Sequence, residues 1–243
     1  MSYREIFIPG ADGSRVSAVQ VGPLVYAPRL LPLTEPGAGL DAQLESVLGQ
    51  VRSVIGEAGG GTGDLARVTL FMRSVKDRRV LNEVWRRWFP DPAQRPPHKY
   101  IPADVPGGYE VMADAVAVLA GRRRILVVPG LEHRDPMSMG AQIGNLVFSS
   151  RLFAAEDDVG GQLAHLLRHA EALMREAGGG LRDLTQVTVF VSSPGTAVAA
   201  EAAWRELWAG TGAETAPGLH AAVVDLGGNG KPRMEVIGVI SDV

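Results

Sequence analysis

Apolar positions along this chain fall into two rhythms, and the same succession of rhythms runs through it twice. Ser17-Ala18-Val19-Gln20-Val21 and Leu24-Val25-Tyr26, split by Gly22-Pro23, read as a strand, a turn and a second strand, and the pattern returns around Gly144-Asn145. The period then changes. Leu40, Leu44, Val47, Leu48, Val51, Val54 and Ile55 recur at three- and four-residue spacing, as do Leu163, Leu166, Leu167, Ala170 and Leu173, which predicts one amphipathic helix in each copy. Gly59-Gly60-Gly61 and Gly178-Gly179-Gly180 stop those helices, because glycine accepts the left-handed conformation that commonly follows a helix end. Residues 67–73 and 186–192 are apolar and β-branched and predict central strands. A second helix follows in each copy, with Trp85, Trp88 and Phe89, then Trp204, Leu207 and Trp208, at helical spacing. Residues 109–119 and 234–240 close the copies with a strand.

The duplication is explicit in the letters. Residues 57–72, EAGGGTGDLARVTLFM, recur as 176–191, EAGGGLRDLTQVTVFV, displaced by 119 positions from 57 to 176. Gln43 matches Gln162, Trp85 matches Trp204, and Pro9-Gly10 matches Pro129-Gly130. Units of about 120 residues are each large enough for a core of their own. This predicts two domains, 1–121 and 122–243, divided at Ala120-Gly121 and the arginines 122–124, which read as a solvated linker. Strand, strand, helix, strand, helix, strand, twice over, predicts an α+β protein in which each domain is a mixed β-sheet with two helices on one face.

Charge and composition narrow the chemistry. A net charge of −3, with Arg122–Arg124 as the basic cluster, argues against a nucleic-acid partner. No apolar run reaches the roughly 18–20 residues of a membrane span, and MSYREIFIPG lacks the basic start and apolar centre of a secretion signal, so no membrane partner and a cytoplasmic location are expected. With no cysteine, any nucleophile is an oxygen, a nitrogen or water. The glycine triplets follow helices and lack the Lys-Ser/Thr of a nucleotide loop. His165 and His169 have the i, i+4 spacing of metal ligands but neither an HExxH pattern nor a third ligand, so they read as solvent-facing. Neither a metal nor another cofactor is called for.

These features together resemble the Rid or YjgF-type reactive-intermediate deaminases, once described as endoribonucleases and sharing the fold of the trimeric chorismate mutase. The resemblance rests on the strand pairs around Gly22 and Gly144, the helix ending Glu-Ala-Gly-Gly, the Asp-Leu-x-x-Val-Thr that follows, the Asn82-Glu83-Val84-Trp85 helix, and the Arg-Pro run before the last strand. It implies two tandem chorismate-mutase-like domains. It also implies pockets at the interfaces of a three-domain ring, where an arginine holds a substrate carboxylate and a carboxylate side chain handles the water that hydrolyses a 2-imino acid. Arg95 falls at the arginine's place and Glu110, fifteen residues on, at the carboxylate's; a loop insertion would bring Met112 or Asp114 there instead. Asn82 matches an asparagine near the pocket. A guanidinium can clamp a carboxylate bidentately, and a placed carboxylate can deprotonate water and return the proton to the departing nitrogen.

Several positions depart from the family pattern. Its Ser-Gly pair after the second strand is replaced by Pro28-Arg29 and Ser150-Arg151, which adds Arg29 and Arg151 beside the expected pockets. Arg15 and Met137 stand where a tyrosine is usual. In the second copy His220 occupies the arginine's place, Glu235 retains the carboxylate and Glu201 replaces the asparagine. His98-Lys99-Tyr100, on a loop able to enter the pocket of Arg95 or on a strand with alternating exposed side chains, adds a base, a cation and a phenol. His133-Arg134-Asp135 could reach a pocket between domains. The leading expectation is a hydrolase of small carboxylated imines or enamines. The alternatives are a tailoring enzyme for a larger biosynthetic intermediate and a non-catalytic ligand-binding or scaffold protein. Three two-domain chains supply six domains, so the expected assembly is a homotrimer.

Overall fold

The computed structural model describes residues 3–8, 17–74, 76–119, 121–131, 133, 135–154, 158–211, 216–226 and 230–241. Pro9-Gly10, Arg15, Ala120 and Arg134, singled out above, lie outside the described residues. The first half runs β1 (Tyr3–Ile6), β2 (Ala18–Val21), β3 (Leu24–Leu30), α1 (Leu40–Glu57), β4 (Leu65–Met72), α2 (Arg78–Trp88), β5 (His98–Pro102) and β6 (Val111–Val118). The second half runs β7 (Arg124–Leu126), β8 (Gly140–Ile143), β9 (Leu146–Ser149), β10 (Leu152–Phe153), α3 (Val159–Glu176), β11 (Leu184–Val191), α4 (Pro194–Ala209), β12 (Leu219–Val223) and β13 (Arg233–Val239). The sheet orders are β1-β2-β3-β6-β4-β5 and β12-β11-β13-β9-β8-β7, with β10 on β13. Both sheets are mixed, since β4 with β5 and β11 with β12 are parallel and the other pairs antiparallel. No described helix is long and apolar enough to cross a membrane.

The helices end as the glycines require. At the end of α1 the Gly60 amide bonds the Ile55 carbonyl and the Gly59 amide bonds Gly56, with Gly59 at φ +89°; α3 repeats this with Gly179 to Met174, Gly178 to Arg175 and Gly178 at φ +90°. These paired bonds satisfy the last helical carbonyls only if the residue after the cap is left-handed. In each half the apolar faces of both helices bury against one face of the sheet, around Leu44, Val84 and Trp85 in the first and Leu163, Leu173 and Trp204 in the second. The opposite sheet faces meet each other. Ala66, Val116 and Val118 pack against Ile143, Leu146, Phe148 and Ile237, which joins the halves by an apolar seam.

The linker reading is corrected at Arg123. Arg122 is exposed, but Arg123 is buried and donates to the carbonyls of Thr62 at 2.8 Å and Leu65 at 2.7 Å and to that of Gln94. Burial pulls its guanidinium down to about 10. Arg124 opens β7 and donates to Gln142 at 2.7 Å. The peptide carbonyls that converge there explain why a cation is drawn inward.

The strand registers also refine the duplication. α1 and α3, like β4 and β11, are displaced by 119 positions, but Val68 pairs with His98 whereas Val187 pairs with Leu219, a displacement of 121. Thr69 opposite Asp114 and Thr188 opposite Glu235 show the same 121. The two extra residues fall between β11 and β12, where α4 has 16 residues against 11 in α2. His220 therefore stands at the register place of Lys99, and Glu235 at that of Asp114 rather than of Glu110.

Candidate functional site

β5 is a strand, not a loop, and both of its sheet faces are covered. His98 stacks on Trp85 of α2, with ring centroids 4.0 Å apart, while Lys99 points to the second half and donates to Glu235 of β13. The Arg67 guanidinium on β4 lies 3.6 Å from the same carboxylate. All three charges are buried, so they are tolerated only as a compensated group. Burial alone would raise the Glu235 carboxyl, but Arg67 and Lys99 outweigh it and hold it below its ordinary value. Burial, reinforced by Arg67, lowers Lys99 to about 8 in spite of Glu235.

Where β5 faces the segment around β10, a cavity of about 460 Å³ opens between the halves. Its first-half wall is His98, Lys99, Tyr100 and Arg78; its second-half wall includes His133, Asp135, Arg151, Phe153 and Arg233. Asp135 is held across the gap, accepting from Asn82 Nδ2 at 2.7 Å and Tyr100 Oη at 3.2 Å, with Arg78 at 3.8 Å. The Arg151 guanidinium lies over the rings of Tyr100 at 5.3 Å and Phe190 at 5.8 Å. Arg233 donates, among the described residues, to the carbonyls of Lys231 and Pro232 alone. Among the described residues neither arginine makes an ion pair; burial lowers the proton affinity of both, and at Arg151 the Arg233 charge adds to that while Tyr100 and Glu235 oppose it.

Two histidines in this wall are neutral. Burial, helped by Arg151 and Arg233 against Asp135, lowers His133 to about 4; burial and the nearby His133 lower His98 to about 3. Ser150 Oγ donates to the Met139 carbonyl at 3.1 Å, so His133 Nε2, 2.7 Å from that oxygen, must be the donor. The lone pair of His133 then sits on Nδ1. Both nitrogens of His98 are buried without a partner.

The structure separates Arg95 from Glu110. Arg95 Nε and Nη2 donate to Phe89 and Pro90 carbonyls at 2.9 and 3.1 Å, and the residue lines an adjoining recess of about 280 Å³ that shares His133, Asp135 and Met137 with the main cavity. Glu110 lies past the far end of β4, where its carbonyl accepts from the Arg73 amide and its amide donates to Gln43. β5 begins level with Val68, so the five residues to Arg73 put about 16 Å of strand between them. A parallel strand enters at one end and leaves at the other, which places these two residues at opposite ends.

The other candidates divide. Arg151, Tyr100 and His98 line the cavity; Ser150 and Asn82 are buried behind it and hold His133 and Asp135. Arg29, with φ +52°, has its amide on Asp114 at 2.6 Å, outside the cavity, and Tyr26 donates to the same carboxylate at 3.1 Å. Met112 is buried opposite Phe71. His220 is exposed on β12 and Glu201 is exposed on α4. His165 and His169 are not solvent-facing: their Nε2 atoms are 2.8 Å apart and His169 Nδ1 is 3.0 Å from the Phe153 carbonyl. Sequence reading missed Arg67, Arg78 and Arg233. A lone charge inside an apolar strand, as at Arg67 and Glu235, was the available signal, since such charges are buried only when paired.

Fold and cavity define a class: a duplicated α+β protein with a cavity between its halves. Residues 8–118, just under half of the chain, match the model of the family described as Endoribonuclease L-PSP, so the first half is similar to that family. TdcF of Escherichia coli K12, named as a reactive intermediate deaminase, is 29% identical over 85 residues, covering 33% of this chain and 66% of TdcF. A RutC family protein of Haemophilus influenzae is 31% identical over 85 residues, covering 33% and 65%. The matched stretch thus spans just under two thirds of these relatives' own length. The crystal structure of E. coli TdcF with bound serine is 27% identical and covers 45% of this chain and 91% of that one, with a TM-score of 0.42.

Proposed function

We propose that the chain is a Rid-type deaminase that hydrolyses small carboxylated imines or enamines in the cavity between its halves, read as domains 1–121 and 122–243. The observation that carries this is the convergence there of two guanidinium groups without ion pairs, Arg151 and Arg233, with the neutral base His133. The substrate carboxylate is clamped by the two guanidiniums. His133 Nδ1 accepts a proton from water as its oxygen bonds to the imine carbon, and the proton passes to the nitrogen; collapse of the carbinolamine leaves a carbonyl and ammonia. In this reading the anchoring expected of Arg95 passes to Arg151 and Arg233, with Arg95 contacting only substrates long enough to reach the adjoining recess. That recess favours the second reading, a tailoring step on a larger intermediate. Convergence of the cations into one cavity, instead of a strip that could follow a phosphate backbone, supports a small molecule over RNA. Self-association, with a homotrimer favoured, follows the family plan and is read by sedimentation.

The test is release of ammonia and keto acid from freshly generated 2-imino acids, with spontaneous hydrolysis subtracted. Arg151→Gln should lower kcat/KM about 10- to 100-fold, the loss expected for one charged hydrogen-bonding clamp. Arg95→Ala should change small substrates little. Absence of acceleration by the wild type would remove the hydrolase reading and leave ligand binding.

A further inference from the structure

The charges around the cavity do not balance. Arg67, Arg78, Lys99, Arg151 and Arg233 meet only Glu235 and Asp135 among the described residues, in a chain whose net charge is −3. Glu235 is consumed by Lys99 and Arg67, and Asp135 by Asn82, Tyr100 and Arg78. Among the described residues Arg151 and Arg233 keep their guanidinium charge without an ion pair, Glu235 acting on Arg151 only from a distance, although burial makes that charge costly. A single carboxylate neutralises one of them and leaves the other.

Resting on the reading of this cavity as the site, we infer that its ligand carries two negative charges close together, as a phosphate monoester or a dicarboxylate does, held between Arg151 and Arg233. Two planar forks can share the three terminal oxygens of a phosphate monoester or the four of a dicarboxylate, whereas one carboxylate offers two. The neutral His133 and His98 complete the wall without adding charge, and the Tyr100 and Phe153 rings border the remaining space for an apolar part.

Calorimetric titration at pH 7.5 and fixed ionic strength with acetate, malonate and inorganic phosphate tests this on the intact chain. Malonate or phosphate should bind at least tenfold more tightly than acetate, and the larger of the two gains identifies the kind of dianion. Arg151→Gln and Arg233→Gln should each abolish the difference, while Arg79→Gln on the exposed face of α2 should not. Removing a half-buried charge that has no ion pair among the described residues should leave the ligand-free Tm unchanged or higher, so lost binding is not lost folding. Equal affinity for all three anions, or a preference that survives Arg151→Gln, overturns the inference. Dianion preference without imine turnover would retain it and discard the hydrolase; turnover of monocarboxylate imines without the preference would do the reverse.

Discussion

Glu235 and His98 illustrate opposite ways of burying a polar group. Glu235 is compensated by two cations from the other half, so Glu235→Gln leaves Lys99 and Arg67 buried without a counter-charge and should cost about 3–5 kcal/mol in urea unfolding. His98 is uncompensated. His98→Leu, with the residue that stands at the matching register of the second half, should raise stability at pH 7 by about 1–3 kcal/mol, because no hydrogen bond is lost, leucine keeps an apolar contact with Trp85 and a desolvation penalty is removed. The acid response has a defined sign. His98 and His133 titrate near 3 and 4 in the fold and near 6.5 when unfolded, so between pH 6.5 and 4 only the unfolded chain takes up these protons. Their contribution is fully present above pH 6.5 and is lost on acidification, and Tm should fall across that window. His98→Leu should flatten the fall, and an unchanged slope would show that His98 is not its source.

Helices and central strands were readable because their apolar periods are long and regular; α1, α3, β4 and β11 fall where the pattern put them. β5 was not, since His98-Lys99 reads as polar and the strand is short, with a proline at its end. What makes it a strand is parallel pairing to β4, a contact no local period encodes. The helix ends allow a sharp check. A Cβ on Gly60 would lie 2.4 Å from Leu119 Cδ2 and 2.9 Å from Asp64 Oδ2, so Gly60→Ala should destabilise by about 1–3 kcal/mol. Gly61→Ala, with open space at its Cβ, should cost well under that, and urea midpoints of the pair measure the difference.

The seam of Ala66, Val116 and Val118 with Ile143, Phe148 and Ile237, and the Lys99–Glu235 pair beside it, couple the two halves. Calorimetry should therefore show one unfolding transition in the wild type, separating into two in Glu235→Gln if the pair carries the coupling. By itself the sequence determined the duplication, the α+β class and the helix ends, because these depend on local period, on glycine and on repetition of letters. It also marked Arg151 and the His133 segment as candidates. Only the tertiary structure decided that Arg95 and Glu110 lie at opposite ends of a strand, that Arg123 is buried, and that Lys99, Arg151 and Arg233 face one cavity. Those outcomes depend on strand order, a two-residue register change and the docking of one sheet on another, which bring together residues up to 136 positions apart. No pattern within one copy specifies that docking, since the two copies contribute different residues to the same site.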